Sequence, residues 1–144
     1  MILYLDASAL VKRYVMESGS PAVAEAISSA DVVGTSVISR AETVAALAKA
    51  VRVKALPHDE AAAAVQLVRA DWSKLVRVQA TETLIARADV LAWEMGLRGY
   101  DAVQLASALT WRDSMEVDVV MGTYDRQLWR AAQSQGLMPF PAQL

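Results

Sequence analysis

Ile2-Leu3-Tyr4-Leu5-Asp6-Ala7-Ser8 decides how the rest of the chain is read. Four apolar residues are too few for a helix and are stopped at once by an acid and a small polar residue. That is the pattern of a short strand buried on both faces, ending at a polar turn. Downstream, the same kind of run recurs between longer helical patterns. A short helix is expected over Ala9 to Tyr14, and a second opens at Ser20-Pro21 and runs to Ala30. Val32, Val33 and Thr35 form a β-branched run, and Ser36 is placed to cap a long helix over about 37–54. A helix over about 59–74, a brief strand at 75–78, a helix over 81–95 closed by Gly96, and a helix over about 101–112 follow. Val117 to Met121 predicts another strand, Gly122 to Asp125 its turn, and a last helix runs to Gln135 before Gly136; the Pro139-Phe140-Pro141 tail is read as an end.

Short apolar strands alternating with Ala-rich helices predict an α/β fold, a three-layer sandwich around a central, mostly parallel sheet. With 144 residues and no interior linker, the expectation is a single domain over 1–144. Hydrophobic residues at 55% against 21% charged argue against disorder. No apolar stretch reaches the roughly 18 residues of a bilayer span, so no membrane partner and a cytoplasmic location are expected. The absence of Cys removes thiolate chemistry and Cys-type metal sites, and the lone His58 leaves neither a His-rich metal centre nor a Ser–His triad. A net charge of −2 is unlike a protein that coats nucleic acid through basic excess, although it leaves room for a local basic patch.

Carboxylates must therefore carry any chemistry. In an open parallel sheet, ligands bind beyond the carboxyl ends of the strands. Asp6 ends the first predicted strand, Asp125 follows the last, and Asp101 opens a helix able to face the same edge. Glu42 falls about two turns into its helix on a mostly apolar stripe, where a charge needs a partner. Each acid has a plain structural reading beside the functional one. Ser39-Arg40-Ala41-Glu42 and Asp101-Ala102-Val103-Gln104 match capping boxes, and Asp125 can cap the last helix. Asp6 has the weakest such reading. Taken together, converging carboxylates repel unless a cation neutralises them, and oxygen ligands without His or Cys suit Mg²⁺ or Mn²⁺, ions that commonly act on phosphate esters.

At these residues the chain resembles the PIN-domain ribonucleases, and more closely the VapC-type toxins of toxin–antitoxin pairs. The resemblance rests on four strings: Tyr4-Leu5-Asp6-Ala7-Ser8-Ala9-Leu10, Ser39-Arg40-Ala41-Glu42, Arg98-Gly99-Tyr100-Asp101-Ala102-Val103-Gln104, and Gly122-Thr123-Tyr124-Asp125-Arg126. It implies a metal-dependent endoribonuclease in which Asp6, Glu42, Asp101 and Asp125 surround Mg²⁺ or Mn²⁺. Asp6 and Asp101 would be the most direct ligands, with Glu42 and Asp125 acting through bound water and Ser8 and Thr123 orienting waters or phosphate. It also implies a homodimer and a cognate antitoxin laid across the cleft. Among the basic residues, Arg13 and Arg40 are the candidates to touch RNA. Trp72, Trp93, Trp111 and Trp129 are read as packing residues, and His58 as a surface residue. The alternative is a non-catalytic RNA- or protein-binding module on the same fold.

Overall fold

A computed structural model describes residues 1–144. The chain runs β1 (Ile2–Leu5), α1 (Ala7–Leu10), α2 (Ser20–Ser29), β2 (Val32–Ser36), α3 (Ser39–Arg52), α4 (His58–Asp71), β3 (Val76–Val78), α5 (Glu82–Met95), α6 (Gly99–Met115), β4 (Val119–Gly122), α7 (Arg126–Ser134) and β5 (Met138–Phe140). The five strands form one sheet in the order β3-β2-β1-β4-β5, and every neighbouring pair is parallel.

Side chains alternate across this sheet, and the alternation builds the layers. Tyr4, Val119 and Met121 point into a core shared with α5, α6 and α7, where Leu105, Leu109, Trp111 and Leu128 are buried. Leu3 and Leu5 point the other way, onto Ala9 and Leu10 of α1, Ala26 of α2, and Trp72. The α3–α4 hairpin closes on Leu47, Ala64 and Val68. Gly34 of β2 allows the closest approach in the first core: a Cβ there would stand 2.6 Å from the Trp111 ring. The result is the three-layer α/β sandwich that the strand–helix rhythm predicts.

Several boundaries differ from the sequence expectation, each for a local reason. The first helix starts at Ala7 because the Asp6 carboxylate caps it, and it tightens into a 3₁₀ turn over Val11–Arg13. The long helix starts at Ser39, so Glu42 lies in its first turn and not two turns in. The helix expected at Asp101 begins at Gly99 and runs to Met115, ending on Glu116 at φ +55°. The tail read as an end is strand β5, paired to β4 at the sheet edge, where Pro139 fits because an edge strand needs fewer donors. No helix is long and apolar enough to cross a membrane.

Candidate active site

The sheet is doubly wound. From β1 the chain adds strands outward through β2 to β3, and later returns to the opposite side of β1 as β4 and β5. The point between β1 and β4 is where the connections diverge to opposite faces, which opens a crevice at the carboxyl ends of those two strands. Asp6 follows β1 directly, and Thr123 to Asp125 follow β4.

Asp6 is 3% exposed. Its Oδ1 accepts from the Ser8 hydroxyl at 2.7 Å and the Ala9 N–H at 2.9 Å, and its Oδ2 accepts from the Thr123 hydroxyl at 2.6 Å. Ser8 and Thr123, expected to orient waters or phosphate, here bond to the Asp6 carboxylate. Ser8 also accepts from the Tyr124 N–H and Thr123 from the Asp125 N–H, so the two hydroxyls stitch the β1 turn to the β4 turn. Burial, with a smaller push from the charge of Asp101, raises the Asp6 carboxyl to about 6 against the three hydrogen bonds that pull it down.

Glu42 is half-buried, and its Oε1 accepts from Gln104 Nε2 at 2.7 Å. Burial raises its pKa, Gln104 and Arg98 act against that rise, and Asp101 adds to it. Gln104, on α6, is 1% exposed and fully committed. Its second N–H goes to Ser39 Oγ at 2.9 Å, and its carbonyl accepts from the Tyr4 hydroxyl at 2.5 Å. Thr35 lies 2.7 Å from that Ser39 oxygen and donates to the Leu5 carbonyl at 2.6 Å. Neither capping-box reading holds. Ser39 and Gln104 turn inward and bond each other, the residue before α6 is Arg98, and Asp101 lies within the first turn.

Asp101 and Asp125 are held differently. Arg98 Nε donates to Asp101 Oδ2 and Arg98 Nη2 to Asp125 Oδ2, both at 2.9 Å. Asp125 Oδ1 also caps α7 through the Leu128 N–H at 2.9 Å, as the sequence allowed. All four acids therefore belong to one edge, linked through Thr123, Arg98 and the charge of Asp101.

The donor set fits a hard divalent cation: carboxylates and hydroxyls, with the sole histidine far off at the start of α4 and exposed. A guanidinium already bridges two of the acids, which shows the place to be one where positive charge is held. As they stand, no three carboxylates are drawn around a common point.

Arg98 and Gln104 are the residues that sequence reasoning missed. Both lie within the quoted Arg98–Gln104 string, so their spacing from Asp101, three residues on either side, was the available signal. Arg13 and Arg40 make no hydrogen bond to any of the four acids. Arg13 lies over the Tyr14 ring and Arg40 over Trp72, each with the guanidinium carbon 6.0 Å from the ring centre. Trp72 and Trp111 are core residues, but Trp93 is 87% exposed and packs in no core of this chain.

A PIN-domain family model matches residues 3–133. The chain belongs to the PIN-domain family. This PIN domain is 36% identical over 143 residues to ribonuclease VapC45 of Mycobacterium tuberculosis, an alignment covering 99% of this chain and 97% of that protein. Among solved structures, PAE2754 from Pyrobaculum aerophilum aligns with a TM-score of 0.67 at 22% identity, over 96% of this chain and 89% of that one. A toxin–antitoxin complex from Klebsiella pneumoniae aligns with a TM-score of 0.56 at 17% identity, over 82% and 83%. The PIN-domain match and these neighbours agree with the doubly wound sheet described above.

Proposed function

We propose that this PIN domain, acting as a single unit over residues 1–144, is an endoribonuclease that hydrolyses RNA phosphodiester bonds with Mg²⁺ or Mn²⁺. In this reading it is the toxin of a type II toxin–antitoxin pair, a cytoplasmic homodimer restrained by a cognate antitoxin. The observation that carries the chemistry is the placement of Asp6, Glu42, Asp101 and Asp125 along one edge of the sheet, with the Ser8 and Thr123 hydroxyls bonded to Asp6 and the Arg98 guanidinium bonded to Asp101 and Asp125. The name of the VapC relative supports the substrate class, and the toxin–antitoxin neighbour supports the partner.

Asp6 and Asp101 would hold the metal ion most directly, with Glu42 and Asp125 reaching it through water. A bound divalent ion supplies a Lewis acid and a water acidified toward neutral pH. The chain's own residues do the rest. Ser8, Thr123 and the Ala9 N–H fix both oxygens of Asp6, so the carboxylate is aimed before any ligand arrives. Gln104 fixes one oxygen of Glu42 and leaves the other free to accept a water proton. Burial excludes competing water around Asp6, which strengthens each charge interaction made there.

The test is direct. Purified protein incubated with a pool of cellular RNA should cut it with Mn²⁺ and not with EDTA, and sequencing of the new ends identifies the target. RNA bound but left whole at every metal concentration would favour the non-catalytic binding module. Expression should arrest growth, and a small protein encoded alongside should relieve the arrest.

A further inference from the structure

The four acids are not all held by neutral donors; one exposed cation grips two of them. Arg98 closes its guanidinium fork on Oδ2 of Asp101 and Oδ2 of Asp125 while its own side chain remains 75% exposed. The backbone of Arg98 is fixed just before the first turn of α6, so the fork can swing without moving the helix. Gly99 beside it has open space where a Cβ would stand. Together with Tyr100, Ile85, Ala88 and Ala92, Arg98 and Gly99 line an apolar hollow of about 430 Å³ between α5 and α6.

The guanidinium is open to water while the Asp101 and Asp125 side chains are 14% and 28% exposed; pairs screened by water and salt contribute roughly 0–1 kcal/mol each, because the long side chain also loses freedom. The grip is therefore cheap to release. The carboxylate oxygens it occupies are the ones a divalent ion at this edge needs, and a guanidinium set free there is a fork matched to phosphate. We propose that Arg98 is an exchangeable counter-ion: it neutralises Asp101 and Asp125 in the metal-free protein, yields both oxygens to the divalent ion, and then binds an RNA phosphate at the rim of the crevice. The inference rests on the nuclease reading above and adds a residue to it. Arg98 competes with metal and assists substrate, so its removal acts on the two in opposite directions.

The experiment compares wild type with Arg98→Met, which keeps length and removes charge, and with Arg98→Lys, whose single ammonium cannot span both carboxylates. Circular dichroism in EDTA first confirms that the variants are folded, as expected for an exposed side chain. Mn²⁺ alone is then titrated into metal-free protein by calorimetry, and RNA cleavage is measured at saturating Mn²⁺. Arg98→Met should bind Mn²⁺ about three- to tenfold more tightly, while its KM for RNA rises and kcat changes less; Arg98→Lys should fall between. Unchanged or weaker Mn²⁺ binding by Arg98→Met overturns the exchange. So does an unchanged KM. If wild type itself takes up no Mn²⁺, the nuclease reading fails, and that result is distinct from equal binding by both proteins.

Discussion

Asp6 and Glu42 are held by buried, neutral donors, whereas Asp101 and Asp125 share one exposed arginine. Around Asp6, two hydroxyls and a backbone N–H hold the carboxylate, and Glu42 is tied through Gln104 to Tyr4 and Ser39 in the interior. Such bonds keep their geometry whether or not a ligand is present. On the α6–α7 side the same job falls to the exposed guanidinium of Arg98. One half of the site is thus held by fixed neutral donors and the other by a single exposed side chain, the arrangement that the proposed exchange of Arg98 for an ion uses.

The largest effect should come from breaking the fixed half. Asp6→Asn keeps the shape but loses the charge, and RNA cleavage should fall by more than about 100-fold, beyond the usual loss for a supporting residue. Asp101→Asn should match it if both acids bind the ion directly; cleavage within a few-fold of wild type in either variant would remove the assignment. Gln104→Leu comes next. Mn²⁺ affinity should drop by about 10- to 100-fold, and urea unfolding should show a loss of about 1–3 kcal/mol, since Tyr4 and Ser39 keep buried hydroxyls with one partner fewer.

Acidity sharpens the contrast without any mutation. The Asp6 carboxyl is raised to about 6, above its value in the unfolded chain. The native state therefore binds this proton more tightly, and the Asp6 contribution is fully present below pH about 4. It is lost as pH rises through about 6, a change of at most about 3 kcal/mol. Metal-free wild type should show this falling limb in chemical denaturation, and Asp6→Asn should not. Adding Mn²⁺ should restore stability at pH 7 more than at pH 5, because the ion needs the deprotonated form. The smallest effect belongs to Ser8→Ala, which removes the bonds to Asp6 and to the Tyr124 N–H. About 1 kcal/mol of stability should go, with cleavage reduced and not abolished.

Much of this was legible in the chain. Asp6 stands out because an acid at the end of an apolar run has little to do for folding, and the alternation of short runs and helices gives the layers. Legibility failed where a residue's partner lies far along the sequence. Gln104 reads as a capping residue because its neighbours by spacing are Asp101 and Ser107, while its actual partners are Tyr4, Ser39 and Glu42. Arg98 drew no reading of its own from the sequence, because its second partner, Asp125, lies 27 residues on and is folded beside it. Strand β5 was invisible because three residues with a proline make no periodicity, and only the β4 edge recruits them. Trp93 reads as an anchor by type, yet its position on α5 faces outward.

By itself the sequence determined the α/β sandwich and the family, because local pattern and side-chain type are written residue by residue. Only the tertiary structure decided how the four carboxylates are held. A hydrogen bond or ion pair depends on distances of about 3 Å, and such distances between residues tens of positions apart exist only once β1 lies beside β4 and α6 crosses behind them.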